Sequence, residues 1–313
     1  MKNNELDFYS KTNLKSYNLD DKIRYQLSML DSLDVFTRKH SENVANITCR
    51  LCEYLHTSKD FLIYCTTCAY LHDIGKIFIP PNILQKNGPL TKEEFEVIKT
   101  HTTIGYKMCM DDPKLRPYAA GPKYHHEALN GTGYPEGLTK KNIPIEGQII
   151  RVADEFDAIV SKRQYKTHVG ITDTLKLLIE ESKPIVPKSI ALKSMQENAE
   201  IGKINPRIVR TLCKVVIDDT NYEISNIFDY TKYLDEQIKR LEKINYYNIK
   251  KEKTHIAMRK KHFENNINAM LEKGETMRNY KYILEEYRTA YLKRKEKIDN
   301  LFDEIKAIKR LRV

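Results

Sequence analysis

Seven residues have the types and the order that metal chemistry needs: His40, the adjacent pair His72-Asp73, His101, the adjacent pair His125-His126, and Asp154. Neutral imidazole suits borderline divalent transition metals, and a carboxylate such as Asp73 can bridge two cations while cancelling part of their charge. The His72-Asp73 pair closes an apolar run that reads as helix. Successive side chains on a helix diverge by about 100°, so adjacent ligands can serve two neighbouring ions. A lone His-Asp pair is usually structural, and His125-His126 followed by Glu127 is ambiguous by itself. The whole set in one order is far more specific than any of its parts.

The elements that must position these residues read as helices. Val44, Ile47, Thr48, Leu51 and Leu55 follow a helical period behind His40, and Phe61, Leu62, Cys65, Cys68, Ala69 and Leu71 do so ahead of His72. His101 is expected at the end of a helix through EEFEVIKTH, and Asp154 lies in RVADEFDA. Runs of alternating β-branched residues are missing. Loop signals cluster at IPPN (79–82), KNGP (86–89), DDPKLRP (111–117) and NGTGYPEG (130–137). The fold class expected is therefore all-α.

These motifs together resemble the HD-GYP family. The resemblance is carried by HSENV (40–44), LHDIGK (71–76), IPPNILQKNGPLTKEEFEVIKTH (79–101), HHEALNGTGYPEGL (125–138), RVADEFDAIVSKRQYK (151–166) and INPRIV (204–209). It implies an HD-type helical bundle over residues 25–217, acting as a metal-dependent phosphodiesterase that opens cyclic di-GMP to linear pGpG. It also implies a role for each matching residue. His40, His72, Asp73, His101, His125, His126 and Asp154 would be metal ligands, with Asp73 bridging two divalent ions, Fe or Mn. Lys76 would contact the scissile phosphate, Gly133-Tyr134-Pro135 would form the name-giving loop, and Arg163 and Lys166 would hold substrate phosphates.

Elementary chemistry agrees with those roles. Two cations about 3.5–4 Å apart can clamp a phosphate and activate water, and a lysine adds positive charge where the transition state gathers negative charge. Gly131 and Gly133 would let the loop approach a ligand, and Pro135 would stiffen it. Glu127 and Asp157 are expected to orient the histidines. Family members with three metals carry a Glu where this chain has Phe36, which cannot coordinate, so a dinuclear site and pGpG as main product are expected. Gln148 and Gln164 also depart from the family's usual arginine and proline, and residues 183–200 read as an insertion. Two other readings are a catalytically silent cyclic-dinucleotide receptor and a hydrolase of 3′,3′-cyclic GMP-AMP.

Composition bounds the rest. The 313 residues carry 53 Lys+Arg against 43 Asp+Glu, a formal charge of +10, which favours anionic partners. No stretch approaches the roughly 18–20 apolar residues that span a bilayer, and the first residues lack the apolar core of a secretory signal. Six cysteines do not suggest a disulfide framework, so a cytoplasmic location is expected. Cys49-x2-Cys52 and Cys65-x2-Cys68 fall inside helical runs and read as buried small hydrophobes rather than a zinc site. Residues 1–24 are expected to be an N-terminal extension, too short for a receiver domain, so any regulation is expected to come through the tail, a partner or substrate supply.

From residue 218 the chain has no proline and one glycine, Gly274, and is rich in charge. Leu234, Ile238 and Leu241, then Ile298, Leu301, Ile305 and Ile308, form narrow apolar stripes. Residues 218–313 are therefore expected as a helical hairpin or coiled-coil-like module, turning at Gly274 after a helix of roughly 45–50 residues and before one of roughly 35. The module is expected to pack on a protein partner, on itself, or on the first domain. Acidic residues are interleaved throughout, so a nucleic-acid partner is not expected.

Overall fold

The computed structural model describes residues 35–161, 169–184 and 201–311. Arg163, Gln164 and Lys166, the N-terminal extension 1–24, the insertion from 185 to 200 and the Phe36 side chain lie outside the described residues. Among those described, every regular element is a helix: α1 (Val35–Tyr54), α2 (Lys59–Leu71), α3 (Pro81–Leu84), α4 (Lys92–Asp111), α5 (Ala120–Tyr124), α6 (Ile145–Val160), α7 (Ile171–Ser182), α8 (Pro206–Lys253), α9 (Ala257–Met270) and α10 (Tyr280–Lys309). Short 3₁₀ turns cover Ile74–Phe78 and Arg116–Tyr118. The described chain forms two compact units, one ending at Ile217 and taking in Arg310 and Leu311, the other spanning Asp218–Lys309.

Local chemistry starts these helices, including α3, which begins within the IPPN stretch expected as loop. Ser58 caps α2 by accepting the Phe61 N–H at 3.2 Å. Thr91 and Glu94 form a reciprocal capping box at the head of α4. Pro81 opens α3, and Pro144 precedes α6.

In the first unit, α1 packs on α2 and α6, α6 packs on α5 and α7, and α4 packs on α5 and the 74–78 turn. The buried faces are those of the periodic residues: Val44, Ile47, Leu51, Leu71, Ile149, Ile150, Val152 and Phe156 are at most 1 % exposed. The closest approach is at Gly75. A Cβ there would fall 2.0 Å from the His101 carbonyl oxygen and 2.6 Å from the Gly105 nitrogen, so only glycine lets α4 lie against the turn after His72-Asp73.

In the second unit, α8 and α10 run antiparallel. Tyr280 bonds Asn245, Arg288 pairs with Glu242, and Lys297 pairs with Glu223, so numbers fall along one helix as they rise along the other. Leu241, Ile244, Ile267, Tyr280 and Leu284 form its core, and Leu234, Ile298, Ile305 and Ile308 of the expected stripes are buried. Gly274, at φ +91°, makes the expected turn. The helix before it is not continuous: α8 ends at Lys253, and residues 254–256 break it before α9 starts. The break lets α9 fold back so that Ile267 joins Leu241 and Ile244, with Lys251 paired to Glu264. The Arg240 guanidinium fixes the following turn, donating to both Glu275 oxygens at 2.6 Å and to the Met270 carbonyl at 2.7 Å.

Candidate metal centre

Five histidines and two aspartates converge inside the first unit. His40 comes from α1, His72-Asp73 from the end of α2, His101 from α4, His125-His126 from the end of α5, and Asp154 from α6. His101 sits in the middle of its helix rather than at the end, because α4 continues past it to Asp111. His72, Asp73, His101 and His125 are at most 1 % exposed, and His40 and Asp154 are buried.

Backbone carbonyls set the protonation of three of these rings. Nδ1 of His72 lies 2.7 Å from the Ala69 carbonyl, Nδ1 of His101 lies 2.6 Å from that of Ile98, and Nδ1 of His125 lies 2.9 Å from that of Gly121. A carbonyl can only accept, so each Nδ1 carries a hydrogen, and on the neutral ring Nε2 presents a bare lone pair. The Nε2 atoms of His101 and His125 stand 3.2 Å apart. Burial pushes His101 down to about 4 and His125 well below the usual range, so neither ring is protonated near neutrality. Two lone pairs facing each other at that distance repel, unless a cation lies between them. Ligand atoms each about 2.1 Å from one ion sit about 3–3.5 Å apart, which matches.

Asp73 faces both halves of the cluster. Its Oδ1 lies 3.4 Å from His101 Nε2 and 3.9 Å from His125 Nε2, while its Oδ2 lies 3.3 Å from His72 Nε2 and 3.8 Å from His40 Nε2. Asp154 reaches His40 Nε2 at 2.9 Å and His72 Nε2 at 3.8 Å through Oδ1, and His126 Nδ1 at 3.8 Å through Oδ2. Three subsets have ligand atoms within 4.8 Å of one another: His101 with His125 and His126, His40 with His72 and Asp73, and His72 with His125 and Asp154. His72 Nε2 and Asp73 Oδ1 are buried without a hydrogen-bond partner, which is costly unless a cation takes them. Burial opposes ionisation of Asp73 and Asp154, yet the surrounding His72, Lys76 and His40 hold both carboxyls well below the usual range. Bare imidazoles and ionised carboxylates are the states that bind divalent metal, and the donor set fits such ions.

Neighbours fix the cluster from outside. Asp157 accepts the His40 Nδ1–H at 2.6 Å, and is itself held by Asn43 at 3.0 Å and Ser161 at 2.8 Å. Flanked by Asp154 and Asp157, which outweigh burial, His40 is raised to about 9, so a metal on its Nε2 would have to displace a proton. Lys76 donates to Asp73 Oδ2. Among the described residues Glu127 orients no histidine. Its two oxygens instead accept the N–H groups of Glu136 and Leu138, each at 2.7 Å, and so pin the loop 130–138. Within that loop, Tyr134 donates its N–H to the His126 carbonyl at 3.1 Å and lays its ring on His126, centroids 4.6 Å apart. A Cβ on Gly133 would fall 2.2 Å from the Ala128 nitrogen, which reserves that position for glycine. The Tyr134-Pro135 bond is cis.

Asn43, Ser161 and Arg151 escaped the sequence reading. Arg151 donates to the His126 carbonyl at 2.8 Å and to that of Glu127 at 3.2 Å. The available signal was helical spacing: Asn43 follows His40 by three, and Arg151 precedes Asp154 by three. Among the described residues no cysteine belongs to the cluster's groups of ligand atoms. Cys49, Cys52, Cys65 and Cys68 are fully buried free thiols, and burial pushes Cys49 up to about 12, which keeps it protonated.

Helices that bring a His-Asp pair and four further histidines to one buried centre define an all-α domain of the HD type. The chain belongs to the HD domain family, whose model matches residues 24–188. Its Gly133-Tyr134-Pro135 loop places it among the HD-GYP proteins. A cyclic di-GMP phosphodiesterase of Thermotoga maritima is 46 % identical over 143 residues, 45 % of this chain and 39 % of that protein. The cyclic di-GMP phosphodiesterase response regulator RpfG of Xanthomonas campestris is 39 % identical over 127 residues, 40 % and 34 % of the two chains. A 3′3′-cGAMP-specific phosphodiesterase of Vibrio cholerae is 32 % identical over 152 residues, 49 % and 33 %. The chain thus spans less than half the length of these relatives. Among the described residues, no helix is long and apolar enough to cross a membrane.

Proposed function

We propose that this chain is a metal-dependent phosphodiesterase that hydrolyses cyclic di-GMP to linear pGpG with two divalent ions, Fe or Mn. The observation that carries the reading is the opposed pair of bare Nε2 atoms on His101 and His125, together with the division of the Asp73 oxygens between two histidine pairs. One half-site would use His101, His125, His126 and Asp73, the other His40, His72, Asp154 and Asp73. Bound ions would supply Lewis-acid stabilisation of the phosphate oxygens. Lys76 stands against Asp73, where its ammonium can turn to an incoming phosphate. Burial and the charges of Asp154 and Asp73 keep the Tyr134 hydroxyl protonated, so it is a donor beside the same centre. Arg163 and Lys166 would add phosphate contacts.

The relatives named as cyclic di-GMP phosphodiesterases support this substrate. The Vibrio cholerae relative favours 3′,3′-cyclic GMP-AMP as the second reading. Residues 218–313 would form a helical module for a protein partner or self-association.

The test is anaerobic turnover of cyclic di-GMP, with chromatography of the products and metal analysis on the same sample. Linear pGpG with about two metals per chain is the expected result. Bound metal without turnover of either dinucleotide would refute the enzyme reading. Three metals with GMP accumulating would refute the dinuclear expectation drawn from Phe36.

A further inference from the structure

A second feature adjoins the metal centre without belonging to it. Phe95, on α4, is 43 % exposed, an unusual position for a large aromatic ring beside a buried cluster. Its ring meets Tyr134 edge to face, centroids 6.3 Å apart at 81°. Tyr134 in turn lies on His126 at 4.6 Å and 30°. The three rings make a line from the ligand cluster to the surface. Lys99, one turn beyond Phe95, holds its ammonium 5.0 Å from the Phe95 centroid and 5.5 Å from that of Tyr134. That ammonium also donates to Glu96 at 2.7 Å.

This arrangement divides the work between the rings. Tyr134 is engaged by His126 and Lys99, which leaves its hydroxyl as the part it can offer a ligand. Phe95 is the ring with area to spare. His101 follows Phe95 by six residues on one helix, roughly 9 Å along its axis and about 120° around it, with the rings of His126 and Tyr134 spanning the difference. A base joined through ribose to a phosphate at the His101 side can therefore reach back along α4 to the exposed ring. Purine faces stack on aromatic side chains whatever their sequence. Discrimination comes from the edge: guanine presents the acceptors O6 and N7 to a cation, whereas adenine places an amino donor there. An ammonium has three donor hydrogens, so Lys99 can keep Glu96 and still bond a base.

We propose that Phe95 and Lys99 form a guanine-binding shelf, with the base stacked on the Phe95 ring and its O6/N7 edge facing the Lys99 ammonium. The inference rests on the cyclic-dinucleotide reading above and adds the residues that select the base. The experiment uses the full, metal-loaded chain and measures KM and kcat for cyclic di-GMP, 3′,3′-cyclic GMP-AMP and cyclic di-AMP. Wild type is compared with F95A, F95W and K99M, and metal content and Tm establish that each variant is folded and loaded.

The wild type should prefer the guanine-containing substrates. F95A should raise KM for cyclic di-GMP roughly 5- to 150-fold with kcat retained, the range for losing one stacked base, and F95W should restore it. K99M should erode the preference for cyclic di-GMP over cyclic di-AMP by roughly fivefold or more, the effect of one specific base contact. An unchanged KM in F95A, or equal loss on guanine and adenine substrates in K99M, overturns the shelf while the phosphodiesterase reading stands. A metal-loaded wild type that hydrolyses none of the three overturns both.

Discussion

Removing Asp157 tests whether the buried cluster is organised around a cation. Among the described residues the carboxylate contacts no second histidine. Its Oδ2 accepts the His40 ring N–H at 2.6 Å, and its Oδ1 accepts the Asn43 amide and the Ser161 hydroxyl. In D157A the His40 ring keeps Asp154 on its Nε2 side but loses the acceptor that fixes its rotation. A hydrogen bond to a charged group contributes about 1.5–3 kcal/mol. That corresponds to roughly 10- to 150-fold, and residues that orient metal-bound histidines are worth about 10- to 100-fold in metal affinity. D157A should therefore bind Mn²⁺ about 10- to 100-fold more weakly than wild type. D157N keeps an oxygen for His40 but turns an amide donor toward Asn43, so its loss should fall near the lower end. The assay is anaerobic competition between the metal-free protein and a chelator of known affinity, with melting curves of the metal-free variants to establish folding. The loss of acceptors for His40 and Asn43 should also lower stability by about 1–3 kcal/mol. A folded D157A that binds Mn²⁺ with wild-type affinity would refute the assignment of His40 to a metal site.

Stripping the metal from wild type should lower the melting temperature. Occupancy at one hundred times the dissociation constant stabilises by about 2.7 kcal/mol, or about 5–10 °C for a domain of this size, and differential scanning fluorimetry with and without chelator reads it. D73A should abolish turnover, whereas C65A should leave metal content and turnover intact, measured on matched samples. G133A should cut turnover about 100-fold, because the added carbon meets the Ala128 backbone and displaces the loop carrying Tyr134; unchanged kinetics would deny the loop a role. L241A should destabilise the second unit by about 2–5 kcal/mol in urea unfolding, since Leu241 is fully buried in its core.

The helices and the seven cluster residues were legible because their signals are local. Period 3.6 in α1 and α2 is written within a few residues, whereas IPPN reads as loop and Pro81 in fact opens the short α3. The break at 254–256 was not legible, since neither proline nor glycine marks it. It follows from burial of Ile267 against Leu241 and Ile244, a tertiary gain that overrides continuous helix propensity. Glu127 was misread for a related reason. Its position beside His126 suggested an orienting carboxylate, but the backbone turns there, and the side chain finds the N–H groups of Glu136 and Leu138 instead. Arg151 was hidden because its targets are carbonyls, which a sequence does not distinguish from one another.

That last point explains how the site keeps its histidines ready. His72, His101 and His125 each direct Nδ1 to a main-chain carbonyl three or four residues back, so the fold of α2, α4 and α5 selects the tautomer. No side-chain partner is needed, and no substitution at a neighbouring position removes the acceptor. His40, placed near the start of α1, relies on a side chain, Asp157, for the same service. The cluster therefore has three histidines whose tautomer is fixed by secondary structure, and in His40 one whose orientation a single mutation can release. D157A should thus weaken metal binding without changing the ring tautomers of His72, His101 and His125. Long-range ¹⁵N–¹H spectra of the metal-free protein report those tautomers directly. A shift of any of the three rings to the Nε2–H form in D157A would show that the carbonyls do not set them, and that Asp157 orders the cluster as a whole.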